Sequence, residues 1–226
     1  MKLIKTVYRR NLPHIQPIGS TFFITFNLHD AIPVQIIAAL QQEKLVKIAS
    51  LRENRPLNFY EEIVKEHKRH FSKFDAVLDN AIHGGNYLRN REIAQIVMDK
   101  ITFYDRKYYD LLAVCIMSNH VHLLIDLYVQ IEDLSASIDI TSNNYKPLSE
   151  LLKLIKGGSA YEANKILKRK GRFWQVESYD HYVRNEKERD NIIRYIANNP
   201  VKANLVNFWQ DFSFTYVKDI YRINLP

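Results

Sequence analysis

The chain has 226 residues, 46% of them hydrophobic and 25% charged, the balance of a folded globular protein rather than a disordered one and length enough for one domain with a sizeable core. A formal charge of +7 and a pI of about 9.3 favour a polyanionic partner through counterion release. Cys115 is the sole cysteine, which excludes an internal disulfide framework and any cysteine-based zinc cluster. The basic start Met1-Lys2-Leu3-Ile4-Lys5 leads into no apolar signal region, and no stretch is long enough to span a bilayer. A cytoplasmic protein with no membrane partner is therefore expected.

In chain order, the aromatic and β-branched run at residues 20–28 predicts a first strand. Pro33 opens a long helical region to about Phe74, in which Ile36, Ile37, Leu40, Leu45, Ile48 and Leu51 recur at helical spacing. His83-Gly84-Gly85-Asn86 marks a loop. Asn90 then caps a helix from Arg91 to about Phe103 that turns Ile93, Ile96, Val97 and Ile101 inward. Two strands follow, Tyr108 to Ile116 and His120 to Leu127, joined by the short turn Met117-Ser118-Asn119 as an antiparallel hairpin. After a polar loop from Gln130 to Tyr145, Pro147 starts another helix that a basic segment ends, and a last helix runs from about Lys187 to Asn198. This mixture, around a small antiparallel sheet, is α+β rather than doubly wound α/β.

The most informative pattern is Met117-Ser118-Asn119-His120-Val121-His122-Leu123-Leu124-Ile125. Successive side chains of a strand point to opposite faces, so His120 and His122 share one face and Val121 and Leu123 the other. Two adjacent imidazoles are half of a metal site, or else two hydrogen-bonded polar residues on a strand face. A second segment, Tyr195-Ile196-Ala197-Asn198-Asn199-Pro200-Val201-Lys202-Ala203, adds a nucleophile and a further donor.

These two segments, with Tyr8 to Pro17 followed by Phe22-Phe23-Ile24-Thr25-Phe26, and Phe173-Trp174-Gln175 with Asp180 to Arg184, resemble the REP-associated tyrosine transposases, single-tyrosine members of the HUH superfamily. The resemblance is spread over almost the whole chain. It implies one HUH-type domain over residues 1–226 with an N-terminal arm and a C-terminal extension. The implied fold is a ferredoxin-like sandwich whose central antiparallel sheet carries the His-x-His strand, with helices packed against it. The implied activity is metal-dependent nicking and rejoining of single-stranded DNA at hairpins through a 5′-phosphotyrosine. Tyr195, one of 14 tyrosines, is the implied nucleophile. His120, His122 and Asn199 are the implied ligands of a divalent ion, Mg or Mn.

That assignment suits phosphodiester chemistry. A cation offsets charge developing on the phosphate oxygens, and a covalent phosphotyrosine conserves the bond energy needed for rejoining. Tyr195 and Asn199 are four residues apart, one turn along one helix face, although Pro200 disfavours the helical region for Asn199 and places it at the helix end.

Candidate DNA contacts are Arg9, Arg10 and His14 on an extended arm, and Lys156, Lys168, Arg169, Lys170 and Arg172 on a basic stretch suited to a phosphate backbone; the alternative for the latter is a solvated helix face. Trp174 is a candidate for base stacking or for the core. Arg184 is a candidate for DNA contact or, with Asp180 and His181, for positioning. The expected partner is single-stranded DNA with hairpins, bound by a monomer or homodimer. Histidine-triad hydrolases are a poor alternative, since Leu124 stands where a third histidine is needed; a domesticated hairpin-binding regulator is the other.

Overall fold

A computed structural model of the chain describes residues 7–9, 13–132, 139–223 and 225; for 7–9 and 13–15 only the backbone is described. The elements are β1 (Val7–Arg9), β2 (Pro13–Ile15), β3 (Thr21–Asn27), α1 (Val34–Asn54), α2 (Phe59–Asp79), α3 (Arg91–Phe103), β4 (Asp110–Ile116), β5 (His120–Asp126), α4 (Leu148–Ile166), β6 (Tyr179–Tyr182), α5 (Glu186–Lys202), β7 (Thr215–Val217) and α6 (Asp219–Arg222). Strands β1 and β2 pair antiparallel with each other. The main sheet has the order β6-β3-β5-β4-β7, antiparallel throughout. Its first four members follow a βαββαβ path in which the fourth, first, third and second strands lie side by side. This is the ferredoxin-like arrangement, with β7 added at the β4 edge.

Alternation along the strands divides the interior. Phe22, Ile24 and Phe26 of β3 and Val121, Leu123 and Ile125 of β5 meet Ile93, Val97 and Ile101 of α3 and Leu151 and Ile155 of α4 on one face. On the other, Phe23, Ala113, Cys115 and Leu124 pack against Ile193, Ile196 and Ala197 of α5. His120 and His122 share the parity of Leu124 and so lie on the α5 face.

The region from Pro33 to about Phe74 is two helices, not one. Pro56 has no N–H to continue α1, and Arg55 turns the chain at φ 36° in the left-handed region. Of the apolar stripe expected there, Leu51 alone is buried, and Leu45 is 60% exposed. The physical reason is that α1 packs on α2, leaving much of its own surface to solvent. In contrast, α3 buries Ile93, Val97 and Ile101 as its sequence pattern predicts, with Ile96 only half-buried, and the Asn90 side chain accepts from Glu92 N at its start. Helix α5 passes through Pro200 to Lys202, so Asn199 is inside the helix and not at its end. Pro200 forfeits one backbone bond, while Ile196, Ala197, Asn199 and Pro200 are all buried and hold the last turn in place.

Candidate active site

His120 and His122 enter from the start of β5, and each is held by its second ring nitrogen. Thr25, the cross-strand partner of His122, places Oγ1 2.8 Å from its Nδ1. Asn119 Oδ1 is 2.7 Å from His120 Nδ1, while Asn119 Nδ2 donates to Leu78 O at 3.0 Å. The Asn119 oxygen can only accept, so a neutral His120 carries its proton on Nδ1 and keeps a lone pair on Nε2. Both imidazoles are buried. Burial, ahead of the nearby Lys202 charge, lowers the His122 pKa to about 3, and burial and then His122 lower that of His120. Both are thus neutral donors at ordinary pH.

The two Nε2 atoms lie 3.1 Å apart. Two donors about 2.1 Å from one octahedral ion, at right angles, are separated by about 3.0 Å. A third donor comes from α2: Asp75 Oδ1 is 3.4 Å from His122 Nε2, and Asp75, His120 and His122 offer ligand atoms all within 4.8 Å of one another. Asp75 is buried, and its Oδ1 has no hydrogen-bond partner among the described residues. The residues therefore fit a divalent cation: two neutral nitrogens and one carboxylate oxygen.

Tyr195 projects from α5 into the same space. Its hydroxyl donates to Asp75 Oδ2 and lies 3.4 Å from His122 Nε2, so one carboxylate serves the tyrosine with one oxygen and faces the histidines with the other. Burial foremost, then the Asp75 charge, pushes the phenol pKa up, and burial likewise raises that of Asp75. Farther along α2, Asp79 Oδ2 accepts from Lys202 of α5 at 2.7 Å, and its Oδ1 is 3.9 Å from His120 Nε2.

Asn199, one turn beyond Tyr195, is 1% exposed, and neither polar atom of its amide has a hydrogen-bond partner among the described residues. A buried, unpartnered amide keeps it among the candidate donors. Asp75 was not apparent from the sequence. Its signal was an acidic residue on the face of α2 that also carries Phe71 and Leu78, but no local pattern ties that helix to residues far along the chain.

The candidate DNA contacts divide. Arg184 is exposed and lines, together with Tyr195, a cleft of about 400 Å³. Lys168, Lys170 and Arg172 are exposed after α4, whereas the Arg169 guanidinium lies over the Tyr87 ring at 4.9 Å and donates to Arg172 O. Two of the candidates are engaged within the fold. Trp174 is 6% exposed, lies edge-on to Phe26 and donates to Ser159 Oγ at 3.0 Å, so it packs in the core, one of its two sequence readings. Lys156 Nζ is spent on Gln175 O, Val176 O and Ser178 Oγ, tying α4 to the segment before β6. Arg10 lies outside the described residues, and of Arg9 and His14 only the backbone is described. Among the described residues no helix is long and apolar enough to cross a membrane.

No family model matches the chain. A Haemophilus influenzae protein described as a REP-associated tyrosine transposase is 25% identical over 107 residues, 47% of this chain. The match spans 58% of that relative's length. A solved structure of a REP-associated tyrosine transposase bound to a REP hairpin aligns with 92% of this chain and 80% of its own, at 18% identity and a TM-score of 0.39. The sequence relative is of the same family that the residues around the histidine pair and Tyr195 resemble: the chain is similar to the REP-associated tyrosine transposases.

Proposed function

We propose that the protein cleaves and rejoins single-stranded DNA at hairpin-forming sequences, with Tyr195 as nucleophile and a divalent ion, Mg or Mn, held by His120, His122 and Asp75, with Asn199 as a further donor. The observation that carries this reading is the meeting of three elements at one point. The Tyr195 hydroxyl of α5, an Asp75 carboxylate oxygen of α2 and the His120 Nε2 of β5 all lie within about 3.4 Å of the His122 Nε2.

In this reading the Tyr195 oxygen forms a bond to phosphorus as the bond from phosphorus to the 3′ oxygen breaks. One fragment then carries a 5′-phosphotyrosine and the other a 3′-hydroxyl, which reverses the attack on rejoining. Asp75 Oδ2 orients the phenol and is the acceptor nearest its proton. Asn119 and Thr25 hold the imidazoles by the nitrogens turned away from the site, fixing the direction of the other lone pairs. The ion, when bound, supplies electrostatic stabilisation of the phosphate oxygens. The cleft beside Tyr195 gives the strand a way in, and the +7 net charge favours its approach.

The test is a denaturing gel of end-labelled hairpin DNA incubated with the protein and Mn²⁺. A slowly migrating protein–DNA adduct, accompanied by a fragment ending in a 3′-hydroxyl, is expected. Hairpin binding with no adduct in any divalent metal would instead select the non-catalytic binding module.

A further inference from the structure

Lys68, Phe71 and Asp75 follow one another on α2 at spacings of three and four residues, so they share one face of that helix. Asp75 is in contact with Tyr195. Lys68 and Phe71 line the cleft that opens beside that tyrosine, together with Phe23, Tyr179, Arg184 and Lys187. The helix thus runs a cation, an aromatic ring and a carboxylate in sequence from the cleft toward the histidine pair.

The cleft is aromatic at its floor. Phe71 and Tyr179 stack at 4.2 Å between centroids and 29° between planes. Phe71 and Phe23 meet the Tyr195 ring at 6.3 Å and 5.9 Å. Phe71 and Tyr179 are only half-buried, so the stack presents surface to an occupant. The rim is cationic. Glu188 is already engaged by Lys68 at 3.2 Å, His181 at 3.1 Å and Arg184 N at 3.1 Å. Arg184 and Lys187 are exposed and form no ion pair among the described residues.

We infer that this cleft binds an unpaired nucleotide adjoining the phosphate that Tyr195 attacks, with its base on the Phe71–Tyr179 stack and its phosphates on Arg184 and Lys187. The inference rests on the proposed DNA-cleaving function and names where on this chain the strand lies. A base within a duplex has both faces covered by its neighbours, so an aromatic floor selects an unpaired or extruded one. Phosphates need cations at the rim, which is where they are. Whatever fills a cleft lined by Tyr195 also stands next to the nucleophile, so binding there is positioning for attack.

The experiment measures binding apart from cleavage: fluorescence anisotropy of a labelled short single strand, in EDTA, with full-length protein. Phe71→Leu keeps an apolar side chain but removes the aromatic face, and it is expected to weaken binding about tenfold. Phe71→Trp keeps a stacking face and is expected to bind within about threefold of the parent. The double variant Arg184→Ala/Lys187→Ala is expected to flatten the plot of log affinity against log salt by about 1.4, two phosphate contacts at about 0.7 each. Thermal melting of each variant confirms folding. Phe71→Leu binding the strand as tightly as the parent, or losing affinity equally for a blunt duplex, overturns the inference. The two readings fail separately. A Tyr195 adduct with binding indifferent to Phe71 removes the cleft alone, whereas Phe71-dependent single-strand binding with no adduct supports the cleft and removes the cleavage.

Discussion

The Tyr195 hydroxyl donates to the carboxylate of Asp75, a residue 120 positions earlier in the chain. The contact joins α5 to α2 across the face of the sheet where His120 and His122 stand, and it leaves the other Asp75 oxygen turned to the histidines. Because Asp75 is buried and that oxygen has no partner among the described residues, a cation there would satisfy a group whose burial is otherwise costly.

The first prediction concerns that cation. Asp75→Asn keeps the shape of the side chain but halves its ability to accept, and Mn²⁺ affinity measured by titration calorimetry is expected to fall about tenfold or more. Thr25→Val removes the partner that orients His122 and is expected to cost about 10- to 100-fold in affinity. Unchanged affinity in both variants would place the metal elsewhere.

The legibility of the site follows from the range of its interactions. His120 and His122 were readable because a strand's period puts alternate residues on one face, and Tyr195 because its segment resembles the family's. The Asn90 cap and the β4–β5 hairpin were readable because they are local. Asp75 was not, since its place beside the histidines depends on how α2 lies across the sheet. Strands β6 and β7 are four and three residues long, too short to leave an alternating pattern, and their strand character comes from pairing with β3 and β4. Lys156 stands out in the sequence as a candidate phosphate contact because composition reports charge but not the carbonyls that the ammonium bonds.

A second prediction follows from α2. His67 and His70 have pKa values lowered to about 4, by burial first and then by the Lys44 charge. Their folded values lie below the ordinary value near 6.5, so between about pH 6.5 and 4 the unfolded chain binds more protons than the folded one. Stability should therefore fall as pH drops through that window. The midpoint of urea unfolding is expected to decline from pH 7 to pH 5, and to decline less in His67→Gln/His70→Gln. An equal decline in the double variant would assign the pH dependence to other groups.

Lys156 gives a third. Its ammonium makes three hydrogen bonds between α4 and the segment leading to β6, and bonds to a charged group contribute about 1.5–3 kcal/mol each at most. Lys156→Met is expected to lower unfolding free energy by about 1–3 kcal/mol, while leaving the salt dependence of DNA binding unchanged. A loss of one phosphate contact from the salt slope at unaltered stability would return Lys156 to the DNA surface.

The central claim, that Tyr195 is the nucleophile, is tested most directly by intact-protein mass spectrometry after incubation with hairpin single-stranded DNA and Mn²⁺. Wild-type protein is expected to gain the mass of the cleaved fragment bearing the 5′-phosphate. Tyr195→Phe, which removes only the attacking oxygen, is expected to gain nothing while binding the hairpin with affinity close to that of the parent. The same mass gain in Tyr195→Phe, or none in the wild type with any divalent metal, would contradict it.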